Sequence, residues 1–99
     1  MTIRHVVAWK IASTDEDERA VQAATVKARL ESLPAIIPEI RAFEVGLNSV
    51  EGNDFDVVLI SEFADEAALE RYVQHPDHQE VAAYIRSVVG GRASVDFEV

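Results

Sequence analysis

From Ile3 to Ile11 the side chains alternate, with Ile3, His5, Val7, Trp9 and Ile11 on one face and Arg4, Val6, Ala8 and Lys10 on the other, the period of a β-strand. The period then lengthens. Ala23, Val26, Leu30 and Leu33 recur at helical spacing, one apolar stripe of a helix that runs to about Leu33 and must lie against a sheet. Ser13-Thr14 ahead of Asp15, Glu16 and Asp17 mark its start, with Thr14 as the capping hydroxyl and the acids at the positive dipole end. Pro34 and Pro38 bracket the apolar loop Ala35-Ile36-Ile37, because proline cannot continue a helix. A second strand follows from about Ile40 to Leu47.

Gly52-Asn53-Asp54 tolerates the backbone of a tight turn and predicts a hairpin into a third strand, Phe55 to Phe63. There Phe55, Val57, Leu59 and Phe63 share one face with Ser61, while Asp56, Val58, Ile60 and Glu62 make a mixed opposite face. Asp65 caps a short helix, Glu66 to Val73, which Gln74-His75-Pro76-Asp77-His78 interrupts before a further helical stretch to about Val89. The apolar positions Val81, Ala82, Ile85, Val88 and Val89 keep helical spacing, and Gly90-Gly91 reads as a left-handed helix stop before a last strand, Ala93 to Val99.

The order β-α-β-β-α-β predicts an α+β, ferredoxin-like fold: a four-stranded antiparallel sheet with its helices on one face, in a single domain spanning residues 1–99. Such a layout leaves the other sheet face uncovered, although Val6, Ala8, Val58 and Ile60 lie on it. A homodimer joined through these faces, a dimeric α+β barrel, is the simplest closed solution. Arg4, Lys10, Asp56, Glu62, Asp96 and Glu98 are expected on the same face, pairing around the rim to set the register.

Composition narrows the chemistry. The absence of cysteine removes disulfides, thiolate metal sites and thiol nucleophiles, and makes the reducing cytoplasm the expected location. A net charge of −9 repels phosphate backbones and anionic lipid, so nucleic acid is not an expected partner. No apolar run approaches the roughly 20 residues of a membrane span, so membrane is not one either.

The first strand Ile3 to Lys10, the Asp56 to Phe63 strand and above all Tyr72-Val73-Gln74-His75-Pro76-Asp77-His78 resemble the stress-responsive dimeric α/β barrel family (Dabb) over nearly the whole chain. The resemblance implies homodimerisation through sheet faces and a cavity between sheet and helices in each subunit. A plant polyketide cyclase of that family needs no metal or cofactor and uses a tyrosine and a histidine. Tyr72 and His78 match those positions, His5 matches a histidine at the pocket, and Lys27 stands where that enzyme turns a tyrosine towards its substrate.

His5, Tyr72 and His78 are accordingly the expected catalytic residues, with Val7, Trp9, Lys27, Leu59 and His75 around the substrate. A neutral imidazole exchanges protons near physiological pH, and a tyrosine hydroxyl can donate to a developing enolate: His78 as base, Tyr72 as oxyanion donor, His5 orienting. The competing reading gives the histidines structural work, His75 capping the helix break and His78 bonding a carbonyl or Asp77. A zinc site built from His75 and His78 with His5 close by would need three well-aimed ligands with second-shell support. Pro76 breaks the helical face that His75 and His78 would share, so no metal is expected, and no cofactor is expected either. The function classes left are a cofactor-free lyase or cyclase acting on a small carbonyl or polyketide-like compound, a non-enzymatic stress-related dimer holding a small apolar or aromatic ligand, and a cofactor-free monooxygenase of the related dimeric barrel group.

Overall fold

The computed structural model describes residues 1–99 as β1 (Ile3–Ile11), α1 (Glu16–Glu31), β2 (Ala42–Leu47), β3 (Val57–Phe63), α2 (Glu66–Gln74), α3 (Pro76–Val88) and β4 (Val89–Glu98). The strands form one antiparallel sheet in the order β2-β3-β1-β4, the ferredoxin-like α+β fold that the element order predicts, with the second helical region broken into α2 and α3.

Alternation decides what β1 and β3 bury. Ile3, His5, Val7 and Trp9 stand opposite Phe63, Ser61, Leu59 and Val57, all beneath the helices and all buried. Val26 and Leu30 from α1, Tyr72 from α2, and Val81 and Ile85 from α3 close over them as one core. Ile37, between the two prolines, is also fully buried in it. The opposite face has no helix. There Val6 faces Ile60 and Val95, Ala8 faces Val58 and Ala93, and Val95 and Phe97 are 63% and 41% exposed.

Several local expectations need correction. The cap of α1 is Asp15, whose carboxylate accepts from Asp17 N at 3.2 Å; its own N–H donates to Ser13 Oγ, and Thr14 is displaced from the role. Gly90 and Gly91 are not a left-handed helix stop, since Gly52 in the hairpin is the chain's single positive-φ residue. Val89 already turns extended, and β4 begins there, four residues before the expected start. Pairing shifts between Lys10 and Ile11, a bulge that presses Gly90 against Ala12, where a Cβ would lie 3.3 Å from the alanine's own.

The expected charged rim also changes. Arg4 and Glu62 do pair on the open face, at 2.9 Å. Asp56 does not join them: its carboxylate accepts from Ile11 N at 2.7 Å and from Arg19 Nη2 at 2.8 Å, serving a strand N–H that lies beyond the last β1–β3 pair, Trp9 and Val57. Asp96 and Glu98 lie on the helix side, because the register sets them opposite His5 and Ile3.

Candidate functional site

The break between α2 and α3 brings the chemistry-bearing groups together. Pro76 has no N–H to continue α2 and suits the first position of α3. His75 serves both helices: its N–H donates to Tyr72 O at 3.2 Å, and its Nδ1 accepts from Asp77 N at 3.1 Å. The turn carries Tyr72, from the last part of α2, and His78, from the first turn of α3, onto one cavity, with ring centroids 4.5 Å apart.

That cavity, about 280 Å³, lies between the sheet and α3. His5, Val7, Trp9 and Leu59 line it from the sheet, Tyr72 and His78 from the helices. The expected pocket residues His75 and Lys27 do not line it. His75 is committed to capping, and Lys27 lies half-buried on α1 beside the stripe that faces the core.

The hydrogen bonds fix which atoms are free to react. A helix end leaves carbonyls without partners, and Val73 O is one of these; His78 Nδ1–H donates to it at 2.8 Å and Gln79 Nε2 at 2.7 Å. Since a carbonyl only accepts, Nδ1 carries the proton in neutral His78 and Nε2 keeps the lone pair. Burial holds the His78 pKa below the usual histidine value; the Val73 bond opposes this, and the nearby His5, Arg86 and Arg92 add to the lowering. The imidazole is therefore neutral, and basic at Nε2, near pH 7.

Tyr72 is fully buried, and its hydroxyl has no hydrogen-bond partner. Leaving such a group unpaired costs about 1–3 kcal/mol. Burial pushes its pKa up, so the hydroxyl stays protonated and able to donate. His5 meets the Tyr72 ring edge-on at 6.4 Å and that of Phe63 at 6.3 Å. Its Nδ1 bonds Asp96 Oδ1, which leaves Nε2 as the open nitrogen.

Asp96, Arg86 and Arg92 are site residues that the sequence did not reveal. Alternation in the last strand groups Arg92, Ser94, Asp96 and Glu98 on one side, but only pairing with β1 tells which side faces the helices. No three His, Asp or Glu side chains converge as a metal centre would need. No helix is long and apolar enough to cross a membrane.

The family model described as Stress Responsive A/B Barrel Domain matches residues 3–99. A dimeric protein of unknown function with a ferredoxin-like fold from Bacteroides fragilis is 32% identical, over 99% of this chain and 96% of that one, with a TM-score of 0.92. A dimeric ferredoxin-like protein from Thermobifida fusca is 29% identical over 100% and 92% of the two chains, with a TM-score of 0.84. The hydroxynitrile lyase of Passiflora edulis shares the fold, at 18% identity over 97% and 91%, with a TM-score of 0.80. None of the curated proteins matches the chain.

Proposed function

Because the chain belongs to the stress responsive A/B barrel domain family, we propose that it pairs with a second copy through the open sheet face and that each cavity performs cofactor-independent proton transfer beside a carbonyl. The reaction class is that of a lyase or cyclase acting on a small carbonyl or polyketide-like compound. The observation that carries this reading is Tyr72, whose hydroxyl is buried and unpartnered and whose ring packs against that of His78.

In the proposed cycle His78 Nε2 takes the proton from the carbon next to the carbonyl. The C–H electron pair becomes the enolate π bond, and the carbonyl oxygen gathers negative charge while accepting from Tyr72 Oη–H. The enolate then attacks a second carbonyl or expels a leaving group. The imidazolium returns its proton to the resulting oxyanion or to the departing group, which restores neutral His78. His5, held by Asp96, turns Nε2 towards the substrate and fixes its orientation.

One feature of the chain and one of a protein that shares its fold support this reading. The raised Tyr72 pKa keeps the donor protonated while the lowered His78 pKa keeps the base unprotonated, an opposition suited to acid–base pairs. The named activity of the Passiflora edulis protein lies in the same broad class. For the dimer, the exposed Val95, Phe97 and Ile60 form an apolar surface on the face without helices, and the similar proteins from Bacteroides fragilis and Thermobifida fusca are described as dimeric.

The test works with simple carbonyl compounds in place of the natural substrate. Small ketones, 1,3-diketones and aldehydes in deuterium oxide are incubated with the protein, and deuterium uptake at the α-carbon is followed by NMR. The expected result is faster exchange than in buffer for at least one compound, lost in both Tyr72→Phe and His78→Gln. Exchange that persists undiminished in those variants would sink the assignment.

A non-enzymatic carrier is the second reading, favoured by the apolar floor of Val7, Leu30, Leu59, Val81 and Ile85. It predicts tight binding of an apolar compound with no exchange at any carbon.

A further inference from the structure

The charges around the cavity run against the charge of the chain. Acids outnumber Lys and Arg by 18 to 9, yet the charged side chains lining the cavity are Arg86 and Arg92, with no Asp or Glu among them. They come from two walls. Arg86 lies on α3 on the same stripe as His78 and Ala82, at successive four-residue steps, and Arg92 lies opposite Trp9 in the β1–β4 ladder, so it points to the helix side.

Both arginines are exposed at the rim, and neither belongs to an ion pair of the chain. Arg92 Nη1 donates to Ser94 Oγ at 3.2 Å, a neutral partner that leaves its charge uncompensated. Asp96, on the same side of β4 four residues after Arg92, is engaged by His5. Beneath the rim the lining is apolar: Val7, Trp9, Leu30, Leu59, Val81 and Ile85.

An apolar chamber under two unpaired guanidinium groups suits one shape of ligand. Guanidinium presents paired donors that match the two oxygens of a carboxylate, and it does so most strongly beside a surface that excludes water. We propose that the cavity takes a small apolar molecule bearing one carboxylate, the skeleton seated against the Trp9 and Leu59 floor and the carboxylate held by Arg86 and Arg92. This names the substrate class of the cavity and rests on the ligand-binding reading above. The rim charge then selects acids over their neutral analogues, and it orients the carbon chain towards Tyr72 and His78.

Trp9 is the chain's single tryptophan and lines the cavity, so its fluorescence reports occupancy. Titration with octanoate and with octanamide separates charge from carbon skeleton. Octanoate is expected to bind at least tenfold more tightly. Arg86→Gln and Arg92→Gln should each weaken octanoate several-fold, and the double variant should bind both compounds alike, with octanamide affinity and thermal unfolding unchanged. Arg92→Lys, which keeps the charge, should retain part of the preference. Equal binding of the two compounds to the unaltered protein overturns the carboxylate assignment and leaves the cavity reading standing; a preference that survives in the double variant overturns the role of the arginines. Binding of neither compound overturns both the assignment and the apolar-ligand reading on which it rests.

Discussion

Asp96 stands directly opposite His5 in the β1–β4 ladder, and its carboxylate accepts the Nδ1–H of the buried imidazole. The pair fixes one tautomer of His5 and the plane of its ring, with the carboxylate side chain reaching out to the solvent side at 45% exposure. In the proposed cycle Asp96 is thus a positioning residue for His5, and its loss is expected to show in turnover before stability.

Asp96→Ala is therefore expected to lower the rate of α-carbon exchange by about 10–100-fold, the scale at which a misplaced group costs rate. Asp96→Asn, which keeps an acceptor oxygen, should restore most of the activity. Nitrogen chemical shifts of the His5 ring will show whether Nδ1 remains protonated. An Asp96→Ala protein with full activity and unchanged ring shifts removes the positioning role.

Tyr72→Phe deletes a buried hydroxyl that has no partner, so it should leave stability unchanged or raise it by about 1 kcal/mol. In a chain this short that is a rise in Tm of about 4–8 °C. Exchange activity should fall more than tenfold in the same variant. A fall in Tm would mean that the hydroxyl is hydrogen-bonded in the folded protein after all.

The lowered pKa of His78 carries two signs. As a base it acts only when unprotonated, so the exchange rate should be level above pH 6.5, the ordinary histidine value, and decline only at lower pH. For stability, the unfolded chain binds a proton at this residue more readily than the folded one. The contribution is thus complete above pH 6.5 and declines as pH falls towards the folded value. His78→Gln should flatten that part of the stability curve, measured by denaturant titration at several pH values.

Val95→Asp places a charge in the middle of the apolar open face, where Val95 pairs with Val6. Light scattering should give twice the mass of one chain for the unaltered protein at micromolar concentration and the mass of one chain for the variant, because a buried unpaired carboxylate is costly at an interface. A single-chain mass for the unaltered protein removes the dimer.

The site was partly legible because its signals are local. His5 sits on the buried side of β1 by simple alternation, and the His75-Pro76 step announces a helix break wherever it falls. The same locality left His75 two roles, capping the helix break or lining the pocket, and the folded chain selects the first, since its ring accepts from the N–H of Asp77. At Gly90-Gly91 the local pattern misleads. Two glycines after a helix suit a left-handed stop, but here Gly90 is pressed against Ala12 beside a bulge in the pairing with β1, an approach set by chain about eighty residues earlier.

The order of strands and helices, the buried stripe of each and the bare second face of the sheet all follow from hydrophobic periodicity, which acts between near neighbours and is written in the sequence. Which side of the last strand faces the helices is a different kind of fact. Its apolar residues Ala93, Val95 and Phe97 lie on the open face, and Arg92, Ser94 and Asp96 on the helix side, the reverse of what a polar surface around a single core would ask. Only the register with β1 decides this, since a slip of one residue exchanges the two faces. From that single choice come the carboxylate on His5, the arginine at the cavity rim and the greasy surface left for a second copy.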